Sequence, residues 1–253
     1  MSAPDQQWFG EFFQNDYLTI YGPSFTDERA ARETAFVLRV LSLKVGQEVL
    51  DLACGQGRHA VPLAKSGLRV TGQDLHPQYL RMAEVAAAAS GVKIETIQGD
   101  MRVIPFANRF DAIINMFTAF GYFESEAEDQ KVLVASAAAL KPGGRLLLDL
   151  LNREWVVDNY IQNEWRKAPD GTLVLEHREL DLRTSRNRVT FTVIAPDGRR
   201  HESIGHDMRL YTLTEISGKL AAAGLHVTTV HGGYMDEPYS IFTRRMIVIA
   251  QKG

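Results

Sequence analysis

The sequence has little of what marks several large classes of protein. Its 253 residues include one cysteine, Cys54, so no internal disulfide can form, which is typical of a reducing cytoplasm. No run approaches the roughly 18 apolar residues needed to span a bilayer. Residues 1–16 lack the basic start and apolar stretch of a secretory signal. We therefore expect a cytoplasmic protein with no membrane partner.

An excess of charge of one sign is also missing. The chain has 28 basic and 31 acidic residues and a net charge of −3, so we expect no nucleic-acid partner. Its seven histidines show no metal-ligand spacing, so we expect no metal. Hydrophobic residues make up 45% of the chain, an ordinary share for a globular protein with one large core.

Apolar runs separated by glycine and proline predict alternating strands and helices. The five predicted strands are Glu48–Ala53, Leu68–Asp74, Lys93–Gln98, Phe110–Phe117 and Arg145–Leu151. Each is almost continuous in apolar residues, which is typical of a parallel sheet covered on both faces. The helix Glu126–Leu140 is predicted to stop at Lys141-Pro142-Gly143-Gly144. The pattern indicates an α/β fold.

This alternation stops at residue 152 and resumes after residue 212. The runs 173–182, 188–195 and 201–213 look extended, so we interpret 152–212 as an inserted antiparallel cap. Residues 44–151 and 213–253 would then form the sheet domain. Residues 1–43 would form a helical lid, in which Thr26 caps a second helix. The first helix has aromatic residues at helical spacing: Trp8, Phe9, Phe12 and Phe13.

A glycine loop follows the first predicted strand, with Gly55 and Gly57 at the turn into a helix. Glycine lets backbone approach a ligand closely, although this spacing alone also fits a dinucleotide site. Asp51 distinguishes a dinucleotide from a cationic ligand, because a carboxylate beside the loop would repel the pyrophosphate of a dinucleotide. A cationic ligand without phosphate, such as S-adenosylmethionine, would be attracted instead.

Two further acids follow the next two strands. Asp74 ends the second strand, where it can accept hydrogen bonds from both ribose hydroxyls. Asp100 follows the third strand and can accept from an adenine amino group, while Met101 covers the ring. Because carboxyl ends of parallel strands share one edge of a sheet, we expect the three acids to meet in the ligand crevice.

These motifs resemble those of the class I S-adenosylmethionine-dependent methyltransferases. The matching residues are Asp51 with Gly55 and Gly57, Asp74, Gly99-Asp100-Met101, Asp111–Ile114 and Leu140–Gly144. The resemblance implies a Rossmann-like three-layer sandwich with a mostly parallel seven-stranded sheet. The last strand of this sheet is expected to run antiparallel between the fifth and sixth strands. It also implies S-adenosylmethionine as cofactor and S-adenosylhomocysteine as product. Ala53 stands where many members have the first glycine, and we expect binding if its backbone is not left-handed.

More narrowly, the chain is similar to aminosugar N-methyltransferases and glycine/sarcosine N-methyltransferases. Gly99–Arg102, Met116-Phe117, Phe120–Tyr122 and the early tyrosines support this likeness. It implies methyl transfer to an amine or hydroxyl of a small molecule. In-line transfer mainly requires alignment of the reacting groups, which can contribute about 7–11 kcal/mol.

Candidate site residues follow from these motifs. We expect Tyr21, Tyr122 and Arg209 to have positioning roles in catalysis. The aromatic faces of Tyr21 and Tyr122 can hold the cationic sulfonium. Arg209 can pair with an anionic substrate group if its face of the cap strand looks into the crevice. Arg32 resembles a family position near the cofactor carboxylate. The cofactor candidates are Tyr17, Arg32, Asp51, Ala53, Gly55, Gly57, His59, Asp74, Leu75, Asp100, Met101, Met116 and Phe117.

Two other functions fit part of the pattern. Gly55, Gly57 and Asp74 are also compatible with an NAD-linked oxidoreductase, although Asp51 disfavours it. A non-catalytic protein that binds S-adenosylmethionine would have its acceptor crevice filled by side chains. The protein is expected to be a monomer or homodimer.

Overall fold

A computed structural model describes residues 8–253, without the side chains of Trp8, Phe9 and Asn15. The strands are β1 (Glu48–Leu52), β2 (Arg69–Asp74), β3 (Glu95–Gln98), β4 (Phe110–Asn115), β5 (Leu140–Leu151), β6 (Asn163–Lys167), β7 (Leu173–Asp181), β8 (Arg186–Ile194), β9 (Arg200–Arg209), β10 (Leu225–His231) and β11 (Arg245–Lys252). The α-helices are α1 (Trp8–Asn15), α2 (Tyr17–Tyr21), α3 (Asp27–Val40), α4 (Ala60–Lys65), α5 (Pro77–Ala89), α6 (Glu126–Ala139), α7 (Arg153–Asp158) and α8 (Leu213–Ala222).

The central sheet has seven strands in the order β10-β11-β5-β4-β1-β2-β3. Strands β1 to β5 pair in parallel, and β11 is antiparallel to both β5 and β10. Side chains that alternate along a strand enter separate cores, with Leu50 in one and Val49 in the other. The predicted sandwich, with its last strand inserted antiparallel, is confirmed.

Local sequence signals set the helix ends. Thr26 accepts a hydrogen bond from the Arg29 amide, as predicted, and Ser125 caps α6 in the same way. The end of α6 differs from the prediction, because β5 begins directly at Leu140. A bulge there absorbs the proline and glycines, and regular pairing resumes at Arg145.

The second sheet has four antiparallel strands in the order β6-β7-β8-β9, and we call it the cap sheet. Three of its strands were predicted, whereas β6 and α7 were missed. Phe12 and Ile20 of the first two helices pack against Val174, Val189 and Phe191 of this sheet. Trp8 and Phe9 belong to the predicted apolar face of the first helix, and their side chains are not among those described. No helix within residues 8–253 has the length and apolar content to cross a membrane.

Candidate active site

A cavity of about 1140 Å³ lies between the carboxyl ends of the central strands and the cap sheet. Its wall includes Gly55, Asp74 and Asp100 on one side and His206 and Met208 of β9 on the other. Pockets for single small molecules typically measure about 300–1,000 Å³. This cavity slightly exceeds that range, and no side chain of the described residues fills it as a non-catalytic binding protein would require.

The two glycines of the loop have different roles. Gly55 has φ +55°, and a Cβ there would meet nothing within 4 Å, so its backbone is open to the cavity. Gly57 has φ +82°, and a Cβ there would lie 2.8 Å from the Ala83 Cβ of α5. Gly57 is not part of the cavity wall, so its place among the cofactor contacts is not supported. It allows close packing of the loop on α5.

The backbone of Ala53 is left-handed, with φ +61°. Cofactor binding was expected on the condition that the Ala53 backbone is not left-handed, and this condition is not met. For a residue with a Cβ this conformation costs about 1–2 kcal/mol. Ala53 also lines the cavity, so the strain is located at the ligand side of the loop.

We expect Ala53→Gly to raise the free energy of unfolding by about 0.5–1 kcal/mol. Glycine removes the left-handed strain, and the greater freedom of the unfolded chain offsets part of this gain. Denaturant unfolding measures the change. Ala88→Gly, at an exposed position of α5, should instead lower the free energy of unfolding by a similar amount. A loss of stability at both positions would show that Ala53 is not strained.

Asp74 is held firmly against the glycine loop. Its Oδ2 accepts a hydrogen bond from the Gly55 amide at 2.8 Å, and its Oδ1 accepts one from the His76 amide at 2.9 Å. The residue is 8% exposed and lines the cavity. Burial raises the pKa of its carboxyl, which the two amide hydrogen bonds oppose. This arrangement fixes a carboxylate that has lone pairs left for a ligand.

Asp100 forms an ion pair that the sequence did not indicate. Arg102 donates to its Oδ2 at 2.6 Å and also contacts Glu128 at 2.6 Å. Burial raises the pKa of Asp100, but the hydrogen bonds from Arg102 outweigh it and hold the pKa below its ordinary value. Asp100 and the neighbouring Met101 both line the cavity.

Asp51 differs from the other two acids because it is 1% exposed and contributes nothing to the cavity wall. Of the three acids expected in the crevice, Asp74 and Asp100 therefore line the cavity, whereas Asp51 does not. Burial raises the pKa of Asp51 to about 6, and its Oδ2 has no hydrogen-bond partner among the described residues. A buried carboxylate with one oxygen unpartnered, close to the loop, fits a cationic ligand.

Glu33 is a buried carboxylate that the sequence analysis missed. Its Oε1 accepts from the Arg29 Nε at 2.7 Å, and its Oε2 contacts the His59 Nε2 at 2.8 Å and the Arg58 guanidinium. Burial raises the pKa of Glu33, but these three partners outweigh it and lower the pKa to about 2. Its position on the apolar face of α3, one turn before Phe36, is the signal that would have identified it.

On α3 the arginine that lines the cavity is Arg29 and not Arg32, for which a cofactor contact was predicted. Arg32 is exposed and absent from the cavity wall. Arg29 lines the cavity, and its guanidinium lies 4.9 Å from the centre of the Phe117 ring. The reason is helical geometry, since Arg29 is one turn from the buried Glu33 whereas Arg32 projects outward. His59 lines the cavity as predicted.

Aromatic rings surround the middle of the cavity. Tyr21 lies 5.6 Å from Tyr17 and 6.0 Å from Phe117, measured between ring centres. Tyr122, Leu75 and Met116 also line the wall, as predicted. Burial raises the pKa of all three tyrosines, Tyr17, Tyr21 and Tyr122, so their hydroxyls are neutral at physiological pH.

The loop after β4 depends on Asp149, which the sequence analysis also missed. Phe117 and Thr118 have φ of 57° and 60°. The Phe117 amide donates to Asp149 Oδ2 at 2.8 Å, and the Arg245 Nε donates to Oδ1 at 2.7 Å. An acid near the end of the apolar strand β5 is the signal that was available. Asp149 therefore holds Phe117 in the cavity wall.

The condition for Arg209 to bind the acceptor, that its face of the cap strand looks into the crevice, is not met. Its guanidinium contacts Glu215 at 2.8 Å and Glu126 at 3.0 Å, and it is not part of the cavity wall. The opposite face of β9 looks into the cavity and carries His206 and Met208. Arg209 instead connects the end of the cap sheet to α6 and α8.

Comparison with known proteins agrees with this geometry. Residues 49–144 match the family described as a methyltransferase domain. The dTDP-3-amino-3,6-dideoxy-alpha-D-glucopyranose N,N-dimethyltransferase of Streptomyces fradiae is 28% identical, over 92% of this chain and 90% of the relative. The cypemycin N-terminal methyltransferase of a Streptomyces species is 29% identical, over 82% and 84% of the two chains.

Solved structures show the same fold. An S-adenosylmethionine-dependent methyltransferase of Clostridium acetobutylicum superposes with a TM-score of 0.79 at 18% identity, covering 96% of this chain and 99% of that one. An amino pentose methyltransferase of Micromonospora echinaspora, solved with S-adenosylmethionine bound, superposes with a TM-score of 0.69 at 21% identity, covering 100% and 99%. None of these proteins supports an NAD-linked oxidoreductase. Residues 49–144 are therefore similar to a methyltransferase domain, and the chain has the fold of the S-adenosylmethionine-dependent methyltransferases.

Proposed function

We propose that this enzyme methylates an amine of a small molecule bound between the central sheet and the cap sheet. The observation that carries the proposal is the continuity of one cavity, which extends from Gly55 and Asp74 to His206 and Met208. S-adenosylmethionine supplies a methyl group on a cationic sulfur, and the departing thioether needs no proton. The chain must therefore align the reacting groups and exclude water.

The wall on the side of the central sheet is proposed to bind the cofactor. Asp74 would accept from the ribose hydroxyls, and Asp100 with Met101 would hold the adenine. Gly55 and Ala53 would let the backbone approach the ligand, while Arg29 would face its carboxylate. The remaining contacts are proposed for Tyr17, His59, Leu75, Met116 and Phe117. This set keeps the residues predicted from sequence that line the cavity and replaces Arg32 by Arg29.

The wall on the cap side is proposed to bind the acceptor, with Tyr21 and Tyr122 in positioning roles. Glu164 and Glu176 of the cap sheet also line the cavity, and both pair with Arg178. The hydroxyl lone pairs and aromatic faces of the two tyrosines favour an amine or its cation. The names of the two relatives, an amino sugar and a peptide N-terminal methyltransferase, support an amine acceptor. Residues 1–43 would act as a lid, and a cytoplasmic location fits the single Cys54.

Cofactor affinity is expected to fall in acid because of Asp51. In the ligand-free protein its pKa is about 6, so it becomes protonated below that pH. The ammonium group of S-adenosylhomocysteine favours the ionised form, so its Kd should rise roughly tenfold between pH 7.5 and pH 5. Calorimetric titrations across this range measure the change.

Asp51→Asn is the control for that prediction. This variant should bind S-adenosylhomocysteine more weakly at pH 7.5, with a Kd that stays nearly constant down to pH 5. A carboxyl whose pKa is raised by folding destabilises the fold above that pKa. Ligand-free Asp51→Asn should therefore be at least as stable as wild type at pH 7.5. An equally strong pH dependence in the variant would assign the titration to another group.

The acceptor class is tested by transfer of an isotopically labelled methyl group. The panel should contain nucleotide-linked amino sugars, simple amino acids and short peptides, each beside its hydroxyl counterpart. We expect labelled product from at least one amine and a much lower rate with its hydroxyl counterpart. Transfer to hydroxyl compounds alone, or only to proteins or nucleic acids, would contradict the proposal.

A further inference from the structure

Strand β9 of the cap sheet contains a bulge beside the cavity. Between the pairs Val189–His206 and Phe191–Ser203, β9 has two residues where β8 has one. Gly205 lies in this bulge with φ +62°, and a Cβ there would lie 1.9 Å from the Val189 carbonyl oxygen. Only glycine fits this position without a large shift of the backbone.

The bulge decides which side chains of β9 enter the cavity. Ser203 is buried and pairs with Phe191, which belongs to the inner face of the cap sheet. Regular alternation from Ser203 would turn Asp207 and Arg209 inward. The extra residue turns His206 and Met208 inward instead, and both line the cavity. Bulges next to active sites commonly redirect a side chain in this way.

His206 makes its hydrogen bond with Tyr21. The His206 Nε2 lies 3.0 Å from the Tyr21 hydroxyl, and His206 is 7% exposed. The rings of Phe12 and Phe191 pack against the imidazole, with centres 5.9 Å and 6.0 Å from its own. Burial lowers the pKa of His206 to about 4, so the imidazole is neutral at physiological pH.

The relative acidity of the two groups favours one direction for this hydrogen bond. A phenol, with an ordinary pKa of about 10, is a much stronger acid than a neutral imidazole N–H. The unprotonated imidazole nitrogen is in turn a better acceptor than a phenol oxygen. These acidities favour the Tyr21 O–H donating to Nε2, with the proton of the neutral imidazole on Nδ1, a buried atom that has no hydrogen-bond partner among the described residues.

We propose that His206 is a positioning residue for methyl transfer. By accepting the Tyr21 proton, it leaves only lone pairs of the phenol oxygen facing the cavity, where they accept from an N–H of the amine acceptor. This step rests on the function proposed above, which makes the acceptor an amine. The bulge at Gly205 is the element of the fold that presents His206 for this purpose.

The tautomer of His206 tests the first part of the proposal without any acceptor. Imidazole nitrogen NMR of the full-length protein distinguishes protonated from unprotonated Nδ1 and Nε2, and the His206 signals are assigned by their loss in His206→Phe. We expect the Nδ1–H form in wild type and a change of its population in Tyr21→Phe. An Nε2–H form in wild type, or signals that do not respond to Tyr21→Phe, would overturn the proposal.

Binding of sinefungin tests the second part. This compound has an ammonium-bearing carbon in place of the methylated sulfur, so it presents N–H donors at the position of the transferred methyl. We expect Tyr21→Phe and His206→Phe each to raise its Kd about tenfold, and the double variant to raise it no further. The Kd of S-adenosylhomocysteine should change less than twofold in all three. His206→Gln, which retains a side-chain acceptor, should recover most of the loss.

Additive losses in the double variant would show that the two residues act separately, and an unchanged sinefungin Kd would show that neither faces the transferred group. Either result overturns the proposal. Because no acceptor is used in these measurements, their failure is distinct from failure of the amine assignment, which the labelled-methyl panel tests. Tyr21→Phe changes a single hydroxyl, so it serves as the variant of choice if His206→Phe does not fold.

Discussion

Replacing Glu33 by alanine is expected to lower the free energy of unfolding at pH 7 by about 3–5 kcal/mol. Glu33 is fully buried and is the shared partner of Arg29, Arg58 and His59. Its removal leaves these groups close together without a compensating charge, which is the costly way to break a buried ion pair. Denaturant unfolding of both proteins measures the difference. Cofactor binding should weaken as well, since Arg29 and His59 line the cavity.

The dependence of this loss on pH identifies its origin. Folding lowers the pKa of Glu33 from 4.5 to about 2, so its stabilisation is present above pH 4.5 and disappears as the pH falls toward 2. The difference between wild type and Glu33→Ala should shrink over the same range. Glu28→Ala, at an exposed position in the first turn of α3, should cost no more than about 0.5–1 kcal/mol. A loss of similar size in both variants would contradict the role of Glu33.

Asp74→Ala is expected to weaken binding of S-adenosylhomocysteine by more than tenfold. The substitution removes a charged acceptor from the cavity wall, and hydrogen bonds to charged groups contribute about 1.5–3 kcal/mol each. It also releases the Gly55 amide, which donates to Asp74 at 2.8 Å, so the glycine loop loses an anchor. Isothermal titration calorimetry of the folded variant measures the change.

Two further variants show whether the loss comes from the ligand contact. Asp74→Asn keeps one acceptor oxygen and should bind with intermediate affinity. Asp111→Ala removes an acid of β4 that pairs with Lys141 and is absent from the cavity wall. The Kd of this variant for S-adenosylhomocysteine should stay within twofold of the wild-type value. Equal losses for Asp74→Ala and Asp111→Ala would indicate a general effect on stability rather than a ribose contact.

The central sheet was predictable because its signals are local and redundant. Apolar runs such as β4 and β5, together with Thr26 as a helix cap and the glycine stops, all indicate the same alternation. Strand β6 lacks such a signal, because Trp165 is its one apolar residue among charged and polar neighbours. This strand forms at an edge of the cap sheet because it pairs with β7, so its conformation depends on tertiary contacts rather than on its own sequence.

The position of Asp74 and Asp100 at one edge of the sheet was predictable for a similar reason, since it follows from strand order. The residues on the cap side of the cavity were not predictable in this way. Arg209 was expected in the acceptor site only if its face of β9 looks into the crevice. Alternation along the strand does not show which face does so, because a bulge such as the one at Gly205 exchanges the two faces. His206 was missed as well, because its role depends on the distant Tyr21.

The central claim is that the cofactor binds where Gly55, Asp74 and Asp100 meet, and a crystal structure with S-adenosylhomocysteine tests it most directly. The account predicts the ribose hydroxyls within hydrogen-bond distance of the Asp74 carboxylate, the adenine against Met101, and free volume left beside Tyr21 and His206. A nucleoside bound outside this cavity, or a ribose with no contact to Asp74, would contradict it.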